Sequence, residues 1–84
     1  METETSNVDF ARFLKKYLAQ RFQMDVNDVG VMELHSPTPR PIWQVFLGMD
    51  AYVIACQPGK PETWMKSAVW ILRKIEESRE STTQ

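Results

Sequence analysis

Apolar residues recur with helical spacing near the start of the chain. Between Val8 and Gln23, Phe10, Phe13, Leu14, Tyr17, Leu18 and Phe22 fall on one broad face, and Arg12, Lys15, Lys16 and Gln20 fall on the other. The spacing predicts an amphipathic helix over 8–23, capped by Ser6 or Asn7, whose side-chain oxygens can accept an unpaired backbone N–H. Residues 1–7 are polar and acidic and are expected to fray. Met24–Asp28 holds three turn formers, Asp25, Asn27 and Asp28. Val29–His35 then reads as a strand.

Next comes Ser36-Pro37-Thr38-Pro39-Arg40-Pro41. Its alternate prolines fix φ and remove donors, which predicts an extended, stiff connection. Ile42–Leu47 and Ala51–Cys56 are rich in β-branched and aromatic residues and flank Gly48-Met49-Asp50, the pattern of a β-hairpin with a short glycine turn. Gln57–Pro61 ends the sheet. Pro61 suits the first position of a helix, where no N–H is needed. That helix should run from Pro61 to about Arg79, with Trp64, Met65, Ala68, Ile71, Leu72 and Ile75 as its apolar stripe. The tail 81–84 is polar. No repeat or boundary divides the chain, so one domain over 1–84 is expected, with an ordered core of about 8–79.

The order helix, three strands, helix predicts an α+β domain of two layers. Its sheet would be a three-stranded antiparallel meander with Ile42–Leu47 in the middle, and both helices would pack on one face. A half-buried strand normally alternates apolar with polar residues. Here Trp43, Val45 and Leu47 oppose Ile42, Gln44 and Phe46, and Tyr52, Ile54 and Cys56 oppose Ala51, Val53 and Ala55. Either choice of inner face leaves apolar side chains outside. Such a sheet either has its outer face covered by a partner or a second copy or carries the scattered surface hydrophobes common on soluble proteins.

Composition narrows the classes. The 84 residues are 43% hydrophobic and 25% charged with net charge −1, too apolar for a disordered chain. The single cysteine excludes an intramolecular disulfide and favours a reducing compartment. No apolar run approaches the ~20 residues of a membrane span, and the N-terminus lacks the basic start and apolar stretch of a signal peptide. A soluble cytoplasmic protein is the expectation.

Reactive constellations are sparse. Zinc sites take four ligands, usually Cys and His at close spacing, and only His35 and Cys56 are available. In a meander these two lie on opposite outer strands, about 9–10 Å apart across the middle strand, beyond hydrogen-bond reach. The Gln57-Pro58-Gly59-Lys60 turn lacks the remaining positions of a phosphate loop. Prolines 37, 39 and 41 lack the i, i+3 pair read by SH3-type grooves. No catalytic residue, metal or cofactor is therefore expected, and the protein is not expected to be an enzyme.

Charge is segregated. Arg12, Lys15, Lys16 and Arg21 carry no neighbouring acid between Phe10 and Met24, and Lys60, Lys66, Arg73 and Lys74 share 60–74 with Glu62 alone. Trp70 lies off the apolar stripe of its helix, among Lys66, Ser67, Arg73 and Lys74 at helical spacing. An aromatic among cations can stack with them or anchor an interface.

The helix–three strands–helix order resembles that of double-stranded RNA-binding domains, over most of the chain and in topology alone. The lysine-rich start of that family's last helix is replaced by Lys60-Pro61-Glu62-Thr63-Trp64, and its histidine between the first two strands has no counterpart in the connecting loop. The family is not assigned.

These features predict a small non-enzymatic interaction module, an adaptor, regulator or inhibitor. It would bind a protein partner or a second copy through the apolar outer sheet face or the Trp70 surface, with Trp70, Ile42, Phe46 and Tyr52 as the contact residues. The alternative is a nucleic-acid-binding module using Arg12, Lys15, Lys16, Lys66, Arg73 and Lys74 against phosphates.

Overall fold

The computed structural model describes residues 2–34 and 40–82, with side chains for 8–34 and 40–80. Its elements are α1 (Glu2–Arg21), β1 (Val29–Leu34), β2 (Ile42–Leu47), β3 (Asp50–Ala55) and α2 (Trp64–Thr82). The strands form one antiparallel sheet in the order β1-β2-β3, so the fold is α+β with a three-stranded meander. His35 and the connection 36–39 lie outside the described residues, so the expected end of the first strand at His35 does too.

α1 begins well before Val8, and Ser6 and Asn7 lie within it rather than capping it. No glycine or proline interrupts the first 21 residues, and carboxylates such as Glu2 and Glu4 favour a helix N-terminus. The helix stops at a Schellman motif. Met24 N–H donates to the Ala19 carbonyl at 2.9 Å and Gln23 N–H to the Gln20 carbonyl at 3.3 Å. The motif puts Gln23 in the left-handed region, φ 55°, a position that usually takes glycine. Beyond it, Asp25 caps a single 3-10 turn at Val26–Asp28, its carboxylate accepting from Asn27 N–H at 3.0 Å.

The β2–β3 turn is one residue shorter than the sequence suggests. Leu47 pairs with Asp50, so Gly48-Met49 alone make the turn and Asp50 opens β3. Gly48 has φ +63° and Met49 does not share that sign, the arrangement of a two-residue II′ turn whose twist matches its strands. The last helix also begins differently. Gly59 turns the chain at φ +77°, Pro61 opens a 3-10 turn over Pro61–Thr63, and α2 follows from Trp64.

Register decides which side chains are buried. Trp43, Val45 and Leu47 share a face with Val29 and Val31 on β1 and with Tyr52 and Ile54 on β3. All the buried side chains of the strands lie on this face. They meet Phe10, Leu14, Leu18 and Ala19 of α1 and Ala68, Ile71, Leu72 and Ile75 of α2 in one core. Phe10 sets its ring 5.3 Å from Trp43 and 5.9 Å from Trp64, joining the sheet to both helices. The buried Trp43 Nε1–H donates to the Cys56 carbonyl at 2.8 Å. Met65, expected in the α2 stripe, is instead half exposed. The helix turns its 68–71–72–75 side inward, which leaves Met65 beside Val69 and Trp70 on the outside.

Gln23→Gly should stabilise the domain by about 0.5–1 kcal/mol, because glycine meets no Cβ penalty in the left-handed region. Urea unfolding would show a higher midpoint at unchanged slope. A lower midpoint would mean that the Schellman geometry is not formed in solution.

Candidate functional site

Three surfaces stand out among the described residues. The first is the outer face of the sheet. Register places three rows there: Gly30, Phe46 and Ala51; Met32, Gln44 and Val53; Leu34, Ile42 and Ala55. None of these residues is charged and none is buried. Met32 and Val53 are 49% and 62% exposed. Phe46 is half-buried because its ring lies over Gly30. A Cβ on Gly30 would sit 3.2 Å from the Phe46 Cδ2, so the glycine makes room for the ring.

The second surface is a groove of about 460 Å³ beside β3. Its strand wall is Ala51–Ala55. Its other side is formed by Trp70, Lys74 and Ser78 of α2, with Arg40 also lining it. Arg40 and Trp70 line a smaller hollow with Ala55, Cys56 and Gln57. The groove walls carry two cations, Arg40 and Lys74, and no carboxylate. Lys74 Nζ lies 5.1 Å from the centre of the Trp70 ring and 3.8 Å from a Glu77 carboxylate oxygen. The third surface is a hollow of about 520 Å³ on α2, lined by Met65, Val69 and Trp70 with Lys66, Arg73, Glu62 and Thr63. Trp70 is 42% exposed and borders all three hollows.

The four residues expected to bind protein therefore do not share one surface. Ile42 and Phe46 lie together on the outer face. Tyr52 does not join them: it pairs with Val45, faces the helices, packs against the core and lines the β3 groove. The reason is strand parity. With Trp43 inside, Val45 and its cross-strand partner Tyr52 must be inside as well. Trp70 belongs to α2 rather than to the sheet, and it lines the β3 groove together with Tyr52.

The six basic candidates are likewise divided. Arg12 and Lys16 are exposed on α1 and Lys15 is half-buried. Lys66 and Arg73 border the α2 hollow, whereas Lys74 faces β3. None of the three hollows is lined by Arg12, Lys15 or Lys16.

Sequence reasoning missed the groove. Its edge residues Ala51, Val53 and Ala55, together with Arg40 and Ser78, carry no motif. The available signal was positional: a strand at the end of a meander is an edge strand, and the run Ala51–Ala55 carries no charge, proline or lysine to guard it.

The surroundings of Cys56 work against a nucleophilic role, because the residue is buried. Burial pushes its thiol pKa up, opposed by a hydrogen bond with the Ser67 hydroxyl and by the Arg40 guanidinium. A raised pKa keeps the thiol protonated at neutral pH, and that contribution to stability is lost only as the pH rises into the alkaline range. His35, its candidate partner, lies outside the described residues. Among the described residues, no group of three or more His, Cys, Asp or Glu could hold a metal ion, and no helix is long and apolar enough to cross a membrane.

Comparison with protein-family models, curated proteins and solved structures finds no match. Function must be argued from these surfaces.

Iodoacetamide should label Cys56 in the folded protein more than about tenfold more slowly at pH 7.5 than in the chain unfolded by guanidinium chloride, because only an accessible thiolate reacts. Equal rates would contradict the buried, protonated thiol.

Proposed function

We propose that this protein is a small interaction module, acting as an adaptor, regulator or inhibitor, that engages a protein partner through the outer face of its sheet. The observation that carries this reading is the uncharged apolar face formed by Met32, Leu34, Ile42, Phe46 and Val53, none of which is buried. Three strands about 4.8 Å apart and six residues long at about 3.3 Å each span roughly 15 by 20 Å, or about 300 Å². That is the lower end of the largest apolar patch a soluble monomer commonly carries, about 300–600 Å², a feature that is often functional. It is the size of the dry centre of an interface, to which a polar rim would add the rest of the ~800 Å² each partner commonly buries.

A nucleic-acid role has less support. The α2 cations are divided by Trp70, and the chain is net acidic. Phosphate binding would also make no use of the apolar face. The two readings differ in salt response. A complex built on apolar burial changes little between 50 and 200 mM salt, whereas release of counterions from phosphates makes affinity fall steeply over that range.

Met32→Glu puts a charge on the exposed face without touching the core. It should leave thermal stability within about 0.5 kcal/mol of the parent and weaken partner binding by about 10–100-fold. Photo-cross-linking from position 32 in cells should trap a discrete protein, whereas position 12 on α1 should not. Equal trapping from both positions would contradict the proposal.

A further inference from the structure

β3 is an edge strand, and the hairpin register fixes which of its backbone groups face the open side. Leu47 and Asp50 close a two-residue turn, and at the other end Cys56 N–H donates to the Pro41 carbonyl at 3.1 Å. The backbone groups of Asp50, Tyr52 and Ile54 therefore point to β2, and those of Ala51, Val53 and Ala55 point outward. All three outward residues are exposed. Edge strands are usually guarded by lysine, proline or a bulge. β3 has none of these, and its register with β2 is unbroken from Asp50 to Ala55. The opposite edge, β1, carries Gly30 and Glu33, a glycine and a charge that both disfavour strand addition.

We propose that a second copy of the chain occupies this edge. The two β3 strands pair antiparallel about a twofold axis perpendicular to the sheet, with Val53 opposite the partner's Val53. Opposed residues in an antiparallel pair share a face, and a hydrogen-bonded pair needs two residues that both point outward. Val53 against itself satisfies both conditions, and Ala51 then meets the partner's Ala55. The overlap uses every outward-pointing residue of the strand.

Charge supports the choice of a second copy over an unrelated segment. The one charged residue of β3 is Asp50, at its start. The groove that the incoming strand would enter is lined by Arg40 and Lys74, and Arg40 lies at the Ala55–Cys56 end. The antiparallel register brings Asp50 of each copy to the Arg40 end of the other, so the twofold makes the same complementary contact twice. The partner's Tyr52, whose side chain points to the helix side, enters the groove of about 460 Å³ between Ile54 and Trp70. Pairing would close two unguarded edges into a six-stranded sheet. With the axis perpendicular to the sheet, both outer faces stay on one side and form a continuous platform of about 600 Å². The pairing does not depend on what binds that platform.

Sedimentation equilibrium of the purified chain tests this. The expected mass rises with concentration from the 9.8 kDa monomer to twice that value. Val53→Pro removes an outward N–H, and Val53→Lys sets two ammonium groups against each other. Both should remain monomeric with unchanged far-ultraviolet circular dichroism. Asp50→Arg and Arg40→Asp should each raise the dimer Kd by about tenfold or more, and the double exchange should restore it. Met32→Glu should dimerise like the parent, which separates this proposal from the outer-face reading. A monomer at every concentration up to about 1 mM would overturn the pairing. So would a dimer that survives both Val53 variants. Loss of association in Met32→Glu but not in Val53→Pro would place the contact on the outer face instead, and failure of the double exchange to rescue would overturn the register.

Discussion

Burial of Trp43 at the centre of the sheet is the constraint on which the rest of the structure depends. A tryptophan removes about 150–250 Å² from water, worth about 4–6 kcal/mol at 25 cal/mol per Å². Its N–H must then find a partner inside the protein, because an unmet buried donor costs about 1–3 kcal/mol. The Cys56 carbonyl supplies that partner from the chain just beyond β3. The bond ties the middle strand to the far end of its hairpin neighbour. Phe10 closes over the same ring and brings α1 down on the sheet, and its second contact with Trp64 brings the start of α2 alongside. Three tryptophans thus serve three purposes. Trp43 sits in the core, Trp64 is half-buried between the helices, and Trp70 is left outside.

A strand has only two faces, so placing Trp43 inward settles every other residue of the meander. Val45 and Leu47 follow it in, and Ile42, Gln44 and Phe46 are sent out. Slipping the pattern by one would bury the Gln44 amide and expose the indole, losing on both counts. The consequence is an apolar face with no helix-borne core against it. Gly30 admits the Phe46 ring to that face and reduces its exposure, but Met32 and Val53 remain open. The hydrophobicity of the outer rows is therefore a by-product neither of core packing nor of helix contact. The proposed partner would give it a physical reason.

Much of the architecture was legible because local chemistry and tertiary packing agree. The bounds of β2 follow from a compact β-branched and aromatic run between a proline and a glycine, and the meander order follows from short connections. The inner face was not legible. Both parity sets of β2 are mostly apolar, and periodicity cannot weigh an indole and its hydrogen bond against a phenyl ring over a glycine. The misplacement of Tyr52 follows directly from that ambiguity. Met65 was misplaced for a related reason: the stripe on α2 is wide enough in sequence to include it, and only the packed orientation around Ala68, Ile71 and Ile75 excludes it. Trp70 was legible as an outlier because its helical neighbours are cations. The groove it faces was not, since it is built by β3 and α2 together with Arg40 from distant sequence.

A one-sided core, an uncovered strand edge and an exposed tryptophan are the three features on which the proposed association rests. Residue-resolved amide hydrogen exchange along β3, measured at low and high protein concentration, tests that account most directly. In dilute solution Tyr52, Ile54 and Cys56 should be protected, while Ala51, Val53 and Ala55 exchange freely, because only the first set bonds to β2 and its flank. At high concentration the second set should become protected as the edge is filled. Free exchange of Ala51, Val53 and Ala55 at every concentration would contradict the account, as would protection of all six residues that does not change with dilution.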